Sequence, residues 1–349
     1  MPNLWLGMII ALATALAATP LTIWLARKLH VVDIPDERKV HSGAVPRMGG
    51  VAIYGAFVLG TLALGLYTRP VAALLIACSI VMFVGWVDDV RGISPKVKLL
   101  GQVIASLVLI KGGFYVQFIT NPFIDGGLIS LGIFTIPVTI LWLVGISNAV
   151  NLIDGLDGLS AGVSAIAALT MTIVCFVQGQ IQTAALAAVL AAAAFGFLRY
   201  NFHPARTFMG DCGSLFLGFT LGALAIMGLS KGATIVSIFI PFIIMGIPIF
   251  DTFFAIIRRI FLHKPIFEAD KGHLHHSLLS LGLNQRQTVL IIYAISAVMG
   301  LSAVLLAVLT SAQAIILLII LITATFAGAE KLGVLRGNQD YRLRRQKSR

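Results

Sequence analysis

Eleven stretches of about 17 to 25 residues run through this chain almost without charge, near 4–26, 48–67, 71–87, 97–113, 133–150, 159–178, 181–199, 213–229, 233–257, 288–309 and 311–329. A run of about 20 apolar residues, rising about 1.5 Å per residue, crosses roughly 30 Å of hydrocarbon. Only a helix or a closed barrel satisfies its own backbone there, and continuous rather than alternating hydrophobicity selects the helix. Hydrophobic residues make up 58% of the chain, charged ones only 11%, and the mean hydropathy is +0.98. The expectation is an all-α polytopic membrane protein of about eleven transmembrane helices, a single integral membrane domain over 1–349 whose residues 330–349 form a basic tail.

No basic residue precedes the first stretch, and its apolar run exceeds that of a secretory signal, so it reads as a retained anchor. Arg27 and Lys28 follow it, and the bias of Lys and Arg toward cytoplasmic loops then places the N-terminus outside and, after eleven passes, the C-terminus inside. On that topology all but three of the 25 Lys and Arg residues (Arg69, Lys111 and Lys231) lie on the cytoplasmic side. Among the 14 acidic residues only Asp125 lies outside, and all seven histidines lie inside. Orientation accounts for the basic residues but not for acids and histidines, whose crowding at one face marks that face as a site. Beside a membrane the tail "RLRRQKSR" reads as an anchor to anionic headgroups, and no nucleic-acid partner is expected. Cys78, Cys175 and Cys212 have no metal-like spacing and predict no disulfide. The outer loop 114–132, with turn signals at Asn121-Pro122 and Gly126-Gly127, predicts a short hairpin.

The acids sit where helices begin or end. Asp88 and Asp89 close the third stretch, and two adjacent like charges require a neutralising cation or water. In "NLIDGLDGLSAG" (151–162), Asp154 and Asp157 lie three apart, which on a helical turn puts them on one face with Asn151. One such residue would serve as a helix cap, but this stretch offers three. Asp211 stands between Gly210 and Gly213 in "FMGDCGS", a setting that suits a carboxylate facing a hard cation beside phosphate-binding backbone N–H groups, or a capped turn. Carboxylates with glycines and no Cys–His ligand spacing favour an oxygen-bound metal over zinc, magnesium first. His273, His275 and His276, near Arg258, Arg259, Lys264 and Lys271, read as a cationic wall for phosphate. Arg38, Lys39, His41 and Arg47 form a second basic group in the loop 33–50. Asp251 lies inside an apolar stretch that Pro241 and Pro248 should bend; it is either functional or paired with Arg258.

Taken together these motifs resemble one family, the polyprenyl-phosphate N-acetylhexosamine-1-phosphate transferases. The match runs from Asp33 to about Leu279 and is carried by D-x-P-x-x-R-K-x-H (33–41), P-R-M-G-G (46–50), the Asp88–Asp89 pair, N-x-x-N-x-x-D-G-L-D-G-L (148–159), N-F-H-P-A (201–205), F-M-G-D-x-G-S (208–214), P-x-F-D (248–251) and H-L-H-H (273–276), eight motifs in the family's order. The resemblance implies transfer of a sugar 1-phosphate from a UDP-sugar to a lipid phosphate at the cytoplasmic face of a bacterial cytoplasmic membrane, with magnesium (manganese as a substitute) and release of UMP. It assigns Asp211, with Asp88, to the metal; Asp88 to proton removal from the lipid phosphate; and Asp89 to the same charged cluster. It assigns Asn151, Asp154, Asp157 and Asn201 to the nucleotide side, and His273, His275 and His276 to sugar or diphosphate, with Arg38 and His41 as further substrate contacts. "DKGHLHH" and the compact loop up to "NQRQT" are similar to the N-acetylglucosamine-1-phosphate branch, which uses undecaprenyl phosphate; the alternative is the phospho-N-acetylmuramoyl-pentapeptide branch, from which Val45-Pro46-Arg47 departs. A homodimer is the candidate assembly. A secondary transporter, the reading from another class, would place acids near the midplane of repeated halves, whereas here they gather at one face.

Overall fold

A computed structural model describes residues 3–33, 43–120, 128–228, 239–261 and 272–331. In chain order its elements are α1 (Leu4–Lys28), β1 (Val32–Asp33), β2 (Val45–Pro46), α2 (Gly49–Ala63), α3 (Arg69–Arg91), α4 (Pro95–Lys111), β3 (Phe118–Thr120), β4 (Leu128–Ser130), α5 (Thr135–Leu152), α6 (Leu159–Val177), α7 (Ile181–Asn201), α8 (Gly210–Gly228), α9 (Phe239–Ile244), α10 (Gly246–Phe261), α11 (Leu274–Ser280), α12 (Gln285–Val308) and α13 (Ser311–Lys331). The molecule is a mostly helical, multi-pass membrane protein. Among the described residues, eight helices are long and apolar enough to cross a bilayer: α1, α3, α5, α6, α7, α8, α12 and α13.

The other three expected spans differ in form. α2 has 15 residues and α4 has 17. The stretch 233–257 is broken: its described part is α9 and α10, separated at Met245, with Pro241 and Pro248 on either side. Proline lacks the N–H that would continue the ladder, so the break falls where the sequence places it.

α8 is the central helix. Nearly every residue from Gly210 to Gly228 is buried against α2, α3 and α5. α1 lies on α2 and α7 through a row of small residues, Gly7, Ala11, Ala15, Thr19, Thr22 and Ala26, whose spacing of three or four keeps them on one side and lets backbones approach. Gly60 meets Ala11 and the Gly7 carbonyl on that seam. α13 is peripheral; Ala314 and Ala329 are its buried residues. The hairpin expected in 114–132 is β3 paired antiparallel with β4, Phe118 opposite Ser130.

Candidate active site

Three connections bring the acids together. β1 pairs with β2, Asp33 opposite Val45, and β2 lies against the segment before α8: Thr207 Oγ1 and the Phe208 N–H both donate to the Pro46 carbonyl, at 2.9 and 2.8 Å. Gly49 and Gly50 N–H donate to the carbonyls of Phe208 and Met209, so Arg47 is carried to the N-terminus of α8. Arg47 Nε lies 3.1 Å from Asp89 Oδ1 and its Nη2 lies 2.8 Å from Asp211 Oδ1. Lys98, in the first turn of α4, places Nζ 2.9 Å from Asp88 Oδ2 and 2.7 Å from Asp211 Oδ2. Three carboxylates and two cations thus alternate as Asp88–Lys98–Asp211–Arg47–Asp89. Burial opposes the charge on Arg47, but Asp89, Asp211, Asp33 and Asp154 together outweigh it and hold its pKa above the ordinary arginine value.

The members of this chain differ in what they face. Asp89 has a fully buried side chain; its two oxygens accept the N–H groups of Asp211 (2.8 Å) and Cys212 (3.0 Å), so it caps α8. Gly210, at φ +71°, makes that cap possible: the left-handed turn favours glycine, and a Cβ there would overlap the Asp89 carboxylate. Asp88 accepts the Ile93 N–H at 2.8 Å besides pairing with Lys98.

Beside this chain lies a cavity of about 440 Å³, lined by Asp33, Arg47, Asn151, Asp154, Gly155, Leu156, Asp157, Asn201, Phe208, Gly210, Asp211, His275, His276 and Gln285. These residues come from β1, the ends of α5 and α7, the turn before α6, the segments that lead into α2 and α8, the start of α8, α11 and the start of α12. Asp154, Asp157 and Asn151 do not share a helical face as their spacing predicts, because residues 153–158 are a series of turns ending at Gly158 with φ +78°. Asn151 Nδ2 donates to Ser214 Oγ at 2.8 Å. Asp157 Oδ2 receives His203 Nδ1 at 2.9 Å and the Ala205 N–H at 3.0 Å. Asn201 is buried: its Oδ1 accepts the Gly158 N–H and its Nδ2 donates to the Thr207 carbonyl. Asp157 and Asn201 therefore tie the 153–158 turn to the 201–208 segment. Asp154 receives no hydrogen bond on its carboxylate among the described residues; burial, with Asp211, Asp89 and Asp157 nearby and only Arg47 opposing, pushes its pKa up to about 8.

His275 departs from the expected cationic wall. Burial, together with His276 and His273, pushes His275 down to about 3 against the pull of Asp251, so His275 is neutral in any ordinary buffer. Its Nε2 comes within 2.8 Å of where a Cβ on Gly155 would stand, which is why that position is glycine. His273 lies away from the cavity, buried against Asp251. Arg38 and His41 lie outside the described residues. Lys98 and Gln285 carry no role in the sequence reading, and Asp33 and Arg47 appear there in motifs without an assigned role. A signal for Lys98 exists: three acids at one end of a bundle need cations from the same end, and Lys98 lies ten residues from Asp88.

Spanning helices with acids and cations gathered at one end, beside a cavity, define an integral membrane protein with a polar, charged pocket. Residues 71–229 match the model of glycosyl transferase family 4, and a probable undecaprenyl-phosphate N-acetylglucosaminyl 1-phosphate transferase of Bacillus subtilis is 43% identical over 328 residues, 94% of this chain and 91% of the relative. The chain belongs to glycosyl transferase family 4. Other relatives are a decaprenyl-phosphate N-acetylglucosaminephosphotransferase of Mycobacterium tuberculosis, 35% identical over 82% of this chain and 78% of the relative, and a phospho-N-acetylmuramoyl-pentapeptide-transferase of Halalkalibacterium halodurans, 32% identical over 79% and 89%.

Proposed function

We propose that this chain is a glycosyl-1-phosphate transferase that moves N-acetylglucosamine 1-phosphate from UDP-N-acetylglucosamine to undecaprenyl phosphate. An oxygen of the lipid phosphate attacks the sugar-bearing phosphorus, the bond from that phosphorus to the bridging oxygen breaks, and UMP leaves. The observation that carries the reading is one cavity lined by Arg47, Asp154 and Asp211 in a chain 43% identical to a relative of that name. The lower identity of the muramoyl-pentapeptide relative favours the N-acetylglucosamine branch. Eleven passes with the N-terminus outside and a single domain over 1–349 complete the proposal, with the cavity at the cytoplasmic face, where UDP-sugars are available.

Two anionic substrates repel each other, and the cavity sets Arg47 among four acids, so further positive charge would have to come from a bound cation. Arg47 at the cavity wall attracts the diphosphate. Asp88, paired with Lys98 and accepting the Ile93 N–H, takes the remaining proton of the lipid phosphate. Asp157 and Asn201 shape the nucleotide side by fixing the two segments that border it. Asp154 and Asn151 face the same ligand from the opposite turn.

The donor set fits a hard divalent ion. It is all oxygen, and each ammonium or guanidinium group stands between two carboxylates as such a cation would. Asp211 and Asp88 would hold magnesium, or manganese in its place, with substrate phosphates supplying further oxygens; among the described residues no three His, Cys, Asp or Glu side chains form a metal-holding group by themselves. When bound, the ion offsets charge on the departing UMP. Incubating purified protein with magnesium, undecaprenyl phosphate and a panel of UDP-sugars tests the proposal. UMP release with UDP-N-acetylglucosamine is expected; release only with the muramoyl-pentapeptide donor would move the chain to the other branch.

A further inference from the structure

We infer that Asp251 is a positioning residue for the transfer, one that sets His275 and His276 against the cavity by holding the start of α11; the inference rests on the transferase reading of that cavity. Asp251 is 4% exposed, lies in α10 away from the cavity, and has no part in the roles above. Its two oxygens divide between two consecutive residues. Oδ2 is 2.8 Å from His273 Nδ1, and Oδ1 accepts the Leu274 N–H at 2.7 Å. One rigid carboxylate that grips both the side chain of the N-cap residue and the backbone of the next fixes where α11 begins and how it is turned.

The need for such a grip follows from length. α11 has seven residues, too few to hold a helix by its own hydrogen bonds, so its place depends on what anchors it. A second contact closes the same junction: a Cβ on Gly272 would overlap the Arg258 guanidinium, so the chain approaches α10 closely just before His273. α10 is itself packed on α5 and α12 and so gives Asp251 a firm base.

From His273 the orientation passes along the rings. His273 and His275 lie parallel, 3° apart with centroids 5.9 Å apart, and His275 stands 4.3 Å from His276. His275 then reaches Gly155, between Asp154 and Asp157. A carboxylate can only accept, so in this contact His273 Nδ1 is the donor. Asparagine has the same shape, yet its NH₂ must face either His273 Nδ1, setting donor against donor, or the Leu274 N–H, breaking that bond.

The test uses the full chain in detergent, with kcat and KM for UDP-N-acetylglucosamine measured beside its Kd by calorimetry. Asp251→Asn should raise KM and Kd roughly tenfold, the scale of one charge-assisted hydrogen bond, while kcat stays within about threefold and the melting temperature changes little. Asp251→Glu should recover part of the affinity, His273→Gln should match Asp251→Asn, and the double variant should be no worse than either single one. Unchanged KM and Kd in folded Asp251→Asn, or additive losses in the double variant, would overturn the inference. If Asp251→Asn does not fold, unchanged KM and Kd in His273→Gln overturns it instead. A wild-type chain that binds the nucleotide sugar but releases no UMP would defeat the transferase reading, and the Kd comparison would still decide the role of Asp251; a wild-type chain that does not bind it defeats both.

Discussion

Asp88–Asp89 and Asp154–Asp157 look alike in the sequence, two acids close together at a helix end, and in the structure both pairs divide their work. Asp89 and Asp157 face the protein: one caps α8, the other ties the 201–208 segment to the turn before α6. Asp88 instead pairs with Lys98, and Asp154 lines the cavity without a hydrogen bond on its carboxylate among the described residues. The routes differ. Adjacent residues on a helix point about 100° apart, so α3 sends Asp88 toward α4 and Asp89 toward α8. Residues 154 and 157 diverge because a glycine-bearing turn, and not a helix, separates them. A paired acid is therefore weak evidence for paired chemistry, since within each pair the two carboxylates meet different partners.

The comparison breaks most sharply at Asp211, the acid shared by both cations. Asp211→Asn should lower kcat/KM roughly 10³-fold, several kcal/mol of charge stabilisation, and abolish activation by magnesium in a UMP-release assay. A variant with normal magnesium activation would remove it from the metal site. Asp89→Ala should act on stability instead, by about 3 kcal/mol, since Arg47 and two N–H groups would lose a buried partner; detergent melting curves would show the loss, and an unshifted curve would end its structural role. Asp88→Asn should slow turnover roughly 10²-fold while calorimetry still finds UDP-sugar binding, and near-normal turnover would take the proton-acceptor role away.

Smaller effects sharpen the second pair. Asp154→Asn should weaken nucleotide-sugar binding roughly tenfold and leave the melting temperature no lower, the reverse of Asp89→Ala. The same carboxyl gives a pH test. Its folded pKa of about 8 lies above the ordinary 3.8, so the folded state holds a proton that the unfolded chain releases, and stability falls as pH rises between those values. The asparagine variant should lose that part of the slope when melting curves are compared at pH 5 and about pH 8; parallel slopes would contradict the assigned burial.

Much of the fold is legible in residue order. The expected spans 159–178 and 181–199 fall within two residues of α6 and α7, because the ends of charge-free runs and helix ends have one cause, the cost of polar groups in hydrocarbon. Pro241 and Pro248 mark the break between α9 and α10 for an equally local reason. α2 stops at Ala63, short of the expected 67, where Gly65 turns to φ +71°. The site is legible in its acids and less so in its cations. Lys98 carries no motif, and its role exists only because α4 lies beside α3 and α8. His275 misleads for a related reason, since in the sequence it reads as positive charge, whereas burial keeps it neutral.

That this is a multi-pass helical membrane protein follows from residue order alone, since apolar length and charge distribution act locally and need no partner. Motifs likewise single out Asp154, Asp157 and Asp211, which line the cavity, and Asp88 and Asp89 beside it. Which of those acids hold the chain, which line the cavity, and which cations stand among them emerge only when the helices are packed. That division depends on hydrogen bonds and ion pairs between residues as far apart as Arg47 and Asp211, and direction in space is not written in spacing along a chain.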